Sequence, residues 1–245
     1  MQFRMNSAEG KAILALARGG DFAHPGEVGA VEQVAALLPR AGVRSLLDVG
    51  CGRGGTAHWF HGEGWGRLVG VDIDGTSIQY ARQRYPGVEF LQRDVAHLGD
   101  LPGAPFDLAY LFNSFYAFPD QPAALRSIRA ACRADATLVL YDYAQETPAA
   151  LPGELGSEIG QPIVLDAVPE QLSTAGWRLD ARHDWTDRYV AAYDHLLARF
   201  DECRSQIDAI GGEGWFDYVS GWYGALRRAL ADRILRGVVV IARAT

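Results

Sequence analysis

The densest chemical signal in the chain is the run Asp48-Val49-Gly50-Cys51-Gly52-Arg53-Gly54-Gly55. Apolar Leu46 and Leu47 lead into it, and a helical pattern starting at Thr56 leaves it. A strand that turns through glycines into a helix has two uses. Its backbone can take positive φ and let a ligand approach closely. The new helix presents free N–H groups at its start. On an open α/β sheet, ligands bind beyond the carboxyl ends of the strands. Further acids stand at two later strand ends: Asp72 after Gly70-Val71, and Asp94 in Leu91-Gln92-Arg93-Asp94-Val95. A carboxylate at the second tip, about 20 residues past the loop, can accept both hydroxyls of a ribose. A bare turn residue before Gly75 would explain Asp72 but not its partnership with the loop.

Two cofactors fit this much. Gly50, Gly52 and Gly55 satisfy the dinucleotide pattern G-x-G-x-x-G, which would make the chain a nicotinamide-dependent oxidoreductase. Three features favour S-adenosylmethionine. Asp48 sits inside the strand end, where a carboxylate could orient the loop and meet an amino-acid ammonium. Asp94 is placed to accept from an adenine amino group. Gly50, Gly52 and Gly54 form G-x-G-x-G, a looser loop suited to a nucleoside without a pyrophosphate.

Taken in order, Leu47-Asp48-Val49-Gly50-Cys51-Gly52-x-Gly54, Val71-Asp72, Arg93-Asp94 and Phe106-Asp107 resemble the motifs of class I S-adenosylmethionine-dependent methyltransferases of small-molecule type. The likeness covers about Leu46 to Tyr143, and Ala175-Gly176-Trp177 resembles the family's turn into its sixth strand. It implies a Rossmann-like sheet, S-adenosylmethionine as cofactor and methyl transfer to a small-molecule N, O or C acceptor. It also implies a cofactor set of Asp48, Gly50, Cys51, Gly52, Gly54, Asp72, Ile73, Asp94, Val95 and Asn113. In that set the glycines hold the methionine portion, Asp72 the ribose, and Asp94 and Val95 the adenine. One departure is Arg133-Ala134-Asp135-Ala136, where relatives carry a Pro-Gly-Gly-like turn. A non-catalytic S-adenosylmethionine-binding protein is the other reading the motifs leave open.

The acceptor side is less marked. Asn113-Ser114-Phe115-Tyr116 follows the fourth strand, and Tyr116 could line the acceptor site. Trp185, Tyr189, Tyr193, Trp222 and Tyr223 lie in two helical patterns near the end of the chain. An amphipathic seam accounts for much of their spacing. Their aromatic excess points to a lid over a small or cationic substrate. Phe22 and His24 sit in a Gly/Pro-rich N-terminal loop, which the family resemblance implies closes over the cofactor. His24, His183 or Tyr116 could act in proton transfer, although a lone histidine is more often structural. No His/Asp/Glu set has metal-ligand spacing, and Cys51, Cys132 and Cys203 are too sparse for a disulfide framework or a zinc site.

The elements that must position these groups alternate. Strands are expected at Ser45–Val49, Leu68–Val71, Val88–Leu91, Phe106–Phe112 and Thr137–Tyr141, with helices at Thr56–His61, Ser77–Arg84 and Gln121–Cys132 between them. That alternation demands a mostly parallel sheet with right-handed crossovers. Helices are also expected at Ala8–Arg18 and Glu27–Leu38, a long loop at Gln145–Gln161, a helix at Val168–Ala175 and a strand at Trp177–Trp185. Two helices, Thr186–Ile210 and Glu213–Leu235, precede a last strand at Gly237–Ala242. The expected whole is a Rossmann-like, seven-stranded, mostly parallel sheet with an antiparallel last strand. Residues 1–40 form an N-terminal helical cap, 41–185 the cofactor-binding core, 186–236 a helical insertion or lid, and 237–245 the final core strand.

Composition excludes other classes. The chain has 245 residues, 49% apolar and 22% charged, with net charge −7. It contains a single lysine, Lys11, and no Lys/Arg cluster, which disfavours a nucleic-acid substrate while leaving room for a local basic pocket. No apolar run reaches the ~20 residues of a membrane helix. The first ten residues include Asn6, Ser7, Ala8 and Glu9 rather than an apolar leader core. A cytoplasmic enzyme with a small-molecule partner, no nucleic acid and no membrane is expected.

Overall fold

The computed structural model describes residues 3–151, 153 and 155–245. Met1 and Gln2, in the segment read for a leader, lie outside the described residues, as do Pro152 and Glu154 in the expected loop. The strands are β1 (Ser45–Val49), β2 (Arg67–Asp72), β3 (Glu89–Gln92), β4 (Phe106–Phe112), β5 (Cys132–Gln145), β6 (Ile163–Val164), β7 (Trp177–Asp184) and β8 (Arg236–Ala244). They form one sheet in the order β3-β2-β1-β4-β5-β8-β7, with β6 pairing β5 off that path. All pairings are parallel except those of β8, which runs antiparallel to both β5 and β7. The mostly parallel sheet with its antiparallel last strand is as expected; β6 is an added eighth strand of two residues.

The helices are α1 (Ala8–Arg18), α2 (Glu27–Ala35), α3 (Gly55–Gly62), α4 (Gly75–Arg84), α5 (Gln121–Ala130), α6 (Leu155–Glu158), α7 (Val168–Thr174), α8 (Thr186–Glu202), α9 (Arg204–Gly211) and α10 (Trp215–Ala231). Their ends follow from local chemistry. Ser7 caps α1 by accepting from the Gly10 amide at 3.1 Å, and Gly19 closes it in the left-handed region. Asp74 caps α4 through the amides of Thr76 and Ser77, and Asp120 caps α5 with Pro122 in its first turn.

Alternation along each strand sends side chains to opposite faces. Leu46, Leu108, Tyr110, Tyr141 and Val239 meet α1–α4 and α8–α10 on one face, while Leu47, Leu111, Leu140 and Val240 meet α5 and α7 on the other. Central strands buried on both faces read as continuous apolar runs, and β1 is buried throughout.

Three expectations change. β5 extends from Cys132 to Gln145 rather than from Thr137 to Tyr141. The stretch Arg133–Ala136 is therefore strand, not a turn, and the ladder with β4 shifts register between Phe106 and Leu108. The long Gln145–Gln161 loop contains the short α6. The first of the two late helices breaks at Cys203, where φ −98 and ψ 11 leave the helical region. The break lets α9 pack on α1 while Ile207 stays buried.

Candidate active site

The site is assembled at the carboxyl ends of β1, β2, β3 and β4. Asp48 points to the same face as Tyr110, its registered partner on β4. It is 2% exposed, and its Oδ2 has no hydrogen-bond partner. Burial pushes the carboxyl up to about 8; nearby Tyr110 pulls against that, and the negative charge of Asp72 adds to it. A buried carboxylate with only the Tyr110 hydroxyl near it, and one oxygen without a close hydrogen bond, leaves room for an external cation.

The glycine turn that follows is tight for definite reasons. Gly50, Gly52 and Gly54 all have positive φ, which side chains other than glycine adopt only at a cost. A Cβ on Gly50 would collide with Ser114, and one on Gly54 with Phe90, but around Gly52 the space is open. The Gly50 and Cys51 amides donate to the Val71 carbonyl, at 2.8 and 3.0 Å, so the loop is hung from the tip of β2. Asp72 fixes it from below: Oδ2 accepts from the Gly52 amide at 2.8 Å, and Oδ1 accepts from Asp74 at 2.9 Å. Each oxygen keeps a lone pair for a ribose hydroxyl. Ile73 is 69% exposed, a large apolar side chain standing open beside Asp72. Asp94 is exposed at the end of β3, its Oδ1 bound to the Ala96 amide, and Val95 is partly buried next to it. The open face at Gly52, the unpaired Asp48 oxygen and the bare Ile73 match a positively charged amino-acid nucleoside.

Asn113 ends β4 with φ +50, a conformation asparagine tolerates better than most residues. Its amide donates to the Tyr141 carbonyl at 2.7 Å, its Oδ1 accepts from the Tyr189 hydroxyl at 3.0 Å, and its buried Nδ2 has no partner. Asn113 thus touches both the strand tips and the late helices. Asp142 holds the next segment in place. It is fully buried on β5, accepts from the amides of Phe115, Tyr116 and Tyr143, and burial raises it to about 7.

The tyrosines form a second group behind Asn113. Tyr143 and Tyr193 share a hydrogen bond through their hydroxyls, Tyr116 and Tyr143 rings lie 5.3 Å apart, and Tyr193 and Tyr223 rings 5.6 Å apart. Burial raises the phenols of Tyr116, Tyr143, Tyr189, Tyr193 and Tyr223 above their ordinary value, so near neutral pH they stay protonated and donate. Trp185 stacks edge-on to Tyr141, and Trp222 lies against Tyr223 at 4.7 Å. Phe22 packs toward His24. His24 itself is enclosed: its Nε2 faces Thr56 Oγ1 at 3.0 Å, and burial, then Arg18, lower it to about 3. Its ring is thus buried and held against Thr56, with its neutral form favoured. His183 sits on β7 opposite Val239, away from the strand tips that carry the loop. Sequence reasoning missed Arg18, Asp142 and Tyr143. Asp142 and Tyr143 had a signal, a charge and a phenol inside an apolar strand.

A methyltransferase-domain family matches residues 47–140, the segment that carries the loop, the acidic tips and Asn113. That segment carries a methyltransferase domain of the S-adenosylmethionine-dependent kind. The family's cofactor is S-adenosylmethionine. Among curated relatives, a phosphoethanolamine N-methyltransferase of Triticum aestivum is 25% identical over 236 residues, covering 91% of this chain and 45% of its own length. A 27-O-demethylrifamycin SV methyltransferase of Amycolatopsis mediterranei is 27% identical over 188 residues, covering 71% of this chain and 69% of the relative. The chain thus spans less than half of the phosphoethanolamine enzyme. Two solved structures share the fold. Haemonchus contortus phosphoethanolamine N-methyltransferase 2, in complex with phosphomonomethylethanolamine and S-adenosylhomocysteine, aligns with TM-score 0.85 at 16% identity, over 98% of this chain and 58% of that one. The cyclopropane synthase MmaA2 of Mycobacterium tuberculosis aligns with TM-score 0.82 at 16% identity, over 98% and 95%. Among the described residues, the chain has no His/Cys/Asp/Glu group fit to hold a metal ion and no helix long and apolar enough to cross a membrane.

Proposed function

We propose that this methyltransferase transfers the sulfonium methyl of S-adenosylmethionine to a small-molecule acceptor held between the strand tips and α8–α10, which act as its lid. The observation that carries this reading is Asn113. It stands at the end of β4 beside the glycine loop, and its side chain takes the Tyr189 hydroxyl of α8. One residue therefore borders both the cofactor region and the buried tyrosine cluster. In this reading Asp48 meets the cofactor's ammonium, Asp72 its ribose, Asp94 and Val95 its adenine, and Ile73 covers the base. Residues 1–40 form a cap over the loop, 41–185 with 237–245 the core, and 186–236 the lid.

The bound sulfonium supplies a positively charged leaving group for in-line displacement. The chain's own contribution is alignment and exclusion of water, for which a buried cluster of tyrosines is suited. The relatives named above for phosphoethanolamine and for 27-O-demethylrifamycin SV support a small-molecule acceptor. S-adenosylhomocysteine release is the measure, scanned over small amine, hydroxyl and carboxylate acceptors. The expected result is turnover with one class, lost at least tenfold in the Trp222→Ala, Tyr223→Ala double variant while S-adenosylhomocysteine still binds. Unchanged transfer in that variant removes the lid; a chain that binds S-adenosylhomocysteine but turns over no acceptor is a binding protein.

A further inference from the structure

Arg18, the last residue of α1, lies deep inside the molecule with a side chain only 1% exposed. Arginine keeps its charge in any protein environment, so this is a permanent positive charge within an apolar region. Its Nη1 is committed on one side: it donates to the His24 carbonyl oxygen, and it pairs with Glu27 Oε1 at 3.1 Å. Its Nε is buried with no partner. The Nε–Nη2 edge of a guanidinium is the side-on fork that takes two oxygens of one carboxylate or phosphate.

The surroundings repeat that bias. Tyr143, Tyr193 and Tyr223 hydroxyls lie within electrostatic reach of Arg18, and Tyr116 adjoins Tyr143 and Tyr223. These phenols come from the tip of β5, from α8, from α10 and from the segment after β4, so four elements converge on the end of α1. Tyr189 then joins this group to Asn113, with its ring 5.7 Å from that of Tyr143 and its hydroxyl bound to Asn113 Oδ1. Asn113 Nδ2 is a second buried donor without a partner. Arg18 Nε and Asn113 Nδ2 are donors without acceptor oxygens; the Tyr143–Tyr193 hydroxyl pair has one proton left to give, and the Tyr223 hydroxyl, which accepts from Arg18, keeps its own. Arg18 is the full positive charge acting on Tyr193 and Tyr223, while the carboxylates Asp142 and Glu158 act on Tyr116, Asp142 on Tyr189 and Glu158 on Tyr223; a cation placed at the Arg18 end would face the guanidinium.

We propose that Arg18 and the hydroxyls of Tyr143, Tyr193 and Tyr223 bind an oxyanion, phosphate or carboxylate, carried by the methyl acceptor. The proposal rests on the acceptor site described under Proposed function. It fixes the acceptor as bifunctional: an anionic end at Arg18 and the methylated atom toward Asn113 and the strand tips. Glu27 competes for the guanidinium from outside, and the ligand takes the unpartnered Nε beside the Tyr223 hydroxyl that Arg18 already contacts.

The test uses the full chain saturated with S-adenosylhomocysteine, at constant ionic strength, with titration of inorganic phosphate, acetate and tetramethylammonium followed by intrinsic fluorescence. Saturable binding of phosphate or of acetate is expected, and the tighter of the two names the oxyanion. Arg18→Gln should weaken it at least tenfold, and Arg18→Lys should weaken it less, because the charge stays and the fork goes. Glu27→Gln should bind the anion as tightly as the parent or more tightly. A purely structural Arg18–Glu27 staple predicts instead that both single changes act alike. Neither anion saturating, tighter binding of tetramethylammonium, or weaker anion binding in Glu27→Gln would each overturn the proposal. Binding of S-adenosylhomocysteine is measured first in every variant. Its failure in the parent chain counts against the methyltransferase reading and leaves the anion titration to stand alone. Should Arg18→Gln lose it through misfolding, Arg18→Lys and Glu27→Gln decide.

Discussion

Asp48 concentrates the residue-scale argument. A carboxyl with one oxygen unpaired and a value pushed up to about 8 by burial is protonated at pH 7 when the cofactor is absent. A cationic ammonium placed against it favours the ionised form and lowers that value. Binding of S-adenosylhomocysteine at pH 7 should therefore release a proton, and affinity should rise with pH until about 8 and then level off. Calorimetry in two buffers of different ionisation enthalpy measures the release directly. In Asp48→Asn the release should vanish and the affinity should fall; an undiminished release would assign the proton to another group. The sequence made Asp48, Asp72 and Asp94 legible because their chemistry is tied to strand ends and glycines a few residues away. Arg18 was illegible for the opposite reason. On a helical pattern it reads as an ordinary basic C-terminal residue, and only packing against α8, α10 and β5, more than a hundred residues further on, buries it.

At the scale of elements, the chain before β1 serves as a clasp across the loop. Asp21 accepts from the Tyr85 hydroxyl at 2.8 Å and the Tyr80 hydroxyl at 3.2 Å, and it pairs with Arg53 at 3.6 Å. Arg53 also lies over the Tyr80 ring, 3.7 Å from its centroid. Lys11 contacts Asp74 and donates to Ser77 at 2.9 Å, bringing α1 to the start of α4. Partly exposed pairs of this kind contribute roughly 0–1 kcal/mol each. The backbone fit is the firmer constraint, because a Cβ on Gly55 would collide with the Asp21 carbonyl. Gly55→Ala should therefore lift the Asp21–Phe22 segment from the loop. The expected readout is faster amide exchange in residues 8–26 and weaker S-adenosylhomocysteine binding, with β1 and β4 still protected. Equal protection of α1 in parent and variant would show that the clasp accommodates the methyl. Most elements were legible because strand and helix periods differ. The exceptions have physical causes. Asp142 interrupts the apolar run of β5 although the strand continues through it. The two residues of β6 are too few to show a period. The apolar spacing through Phe200, Cys203 and Ile207 runs on unbroken while the backbone bends at Cys203 to bring α9 onto α1.

For the whole molecule, the buried ionisable groups set how stability depends on pH before any cofactor binds. Asp48 and Asp142 have folded values raised by burial to about 8 and about 7. A raised acid holds its proton more tightly folded than unfolded. Its stabilising contribution is complete below the unfolded value of roughly 4 and is lost as pH climbs toward the folded one. His24 has the opposite history: burial, then Arg18, lower it to about 3. Its contribution is therefore present above the unfolded value of about 6.5 and lost as pH falls. Between about pH 6 and 8 the two carboxyls outnumber the histidine, whose unfolded form is already losing its proton. The folded chain then binds more protons than the unfolded one by about one, so stability falls as pH rises, on the order of 1 kcal/mol per pH unit. Urea denaturation of the cofactor-free chain across that range should show the midpoint dropping toward pH 8. Asp48→Asn should flatten the upper half of the curve, where Asp142 has largely titrated. Saturating S-adenosylhomocysteine should do the same, because an ionised Asp48 paired with an ammonium no longer carries its proton in the folded state. A midpoint that climbs through this range would mean that Asp48 and Asp142 do not hold their protons in the folded chain, since paired surface carboxylates such as Asp74, held near 2 against burial by Lys11 and Ser77, are ionised in both states throughout the range and leave the slope unchanged.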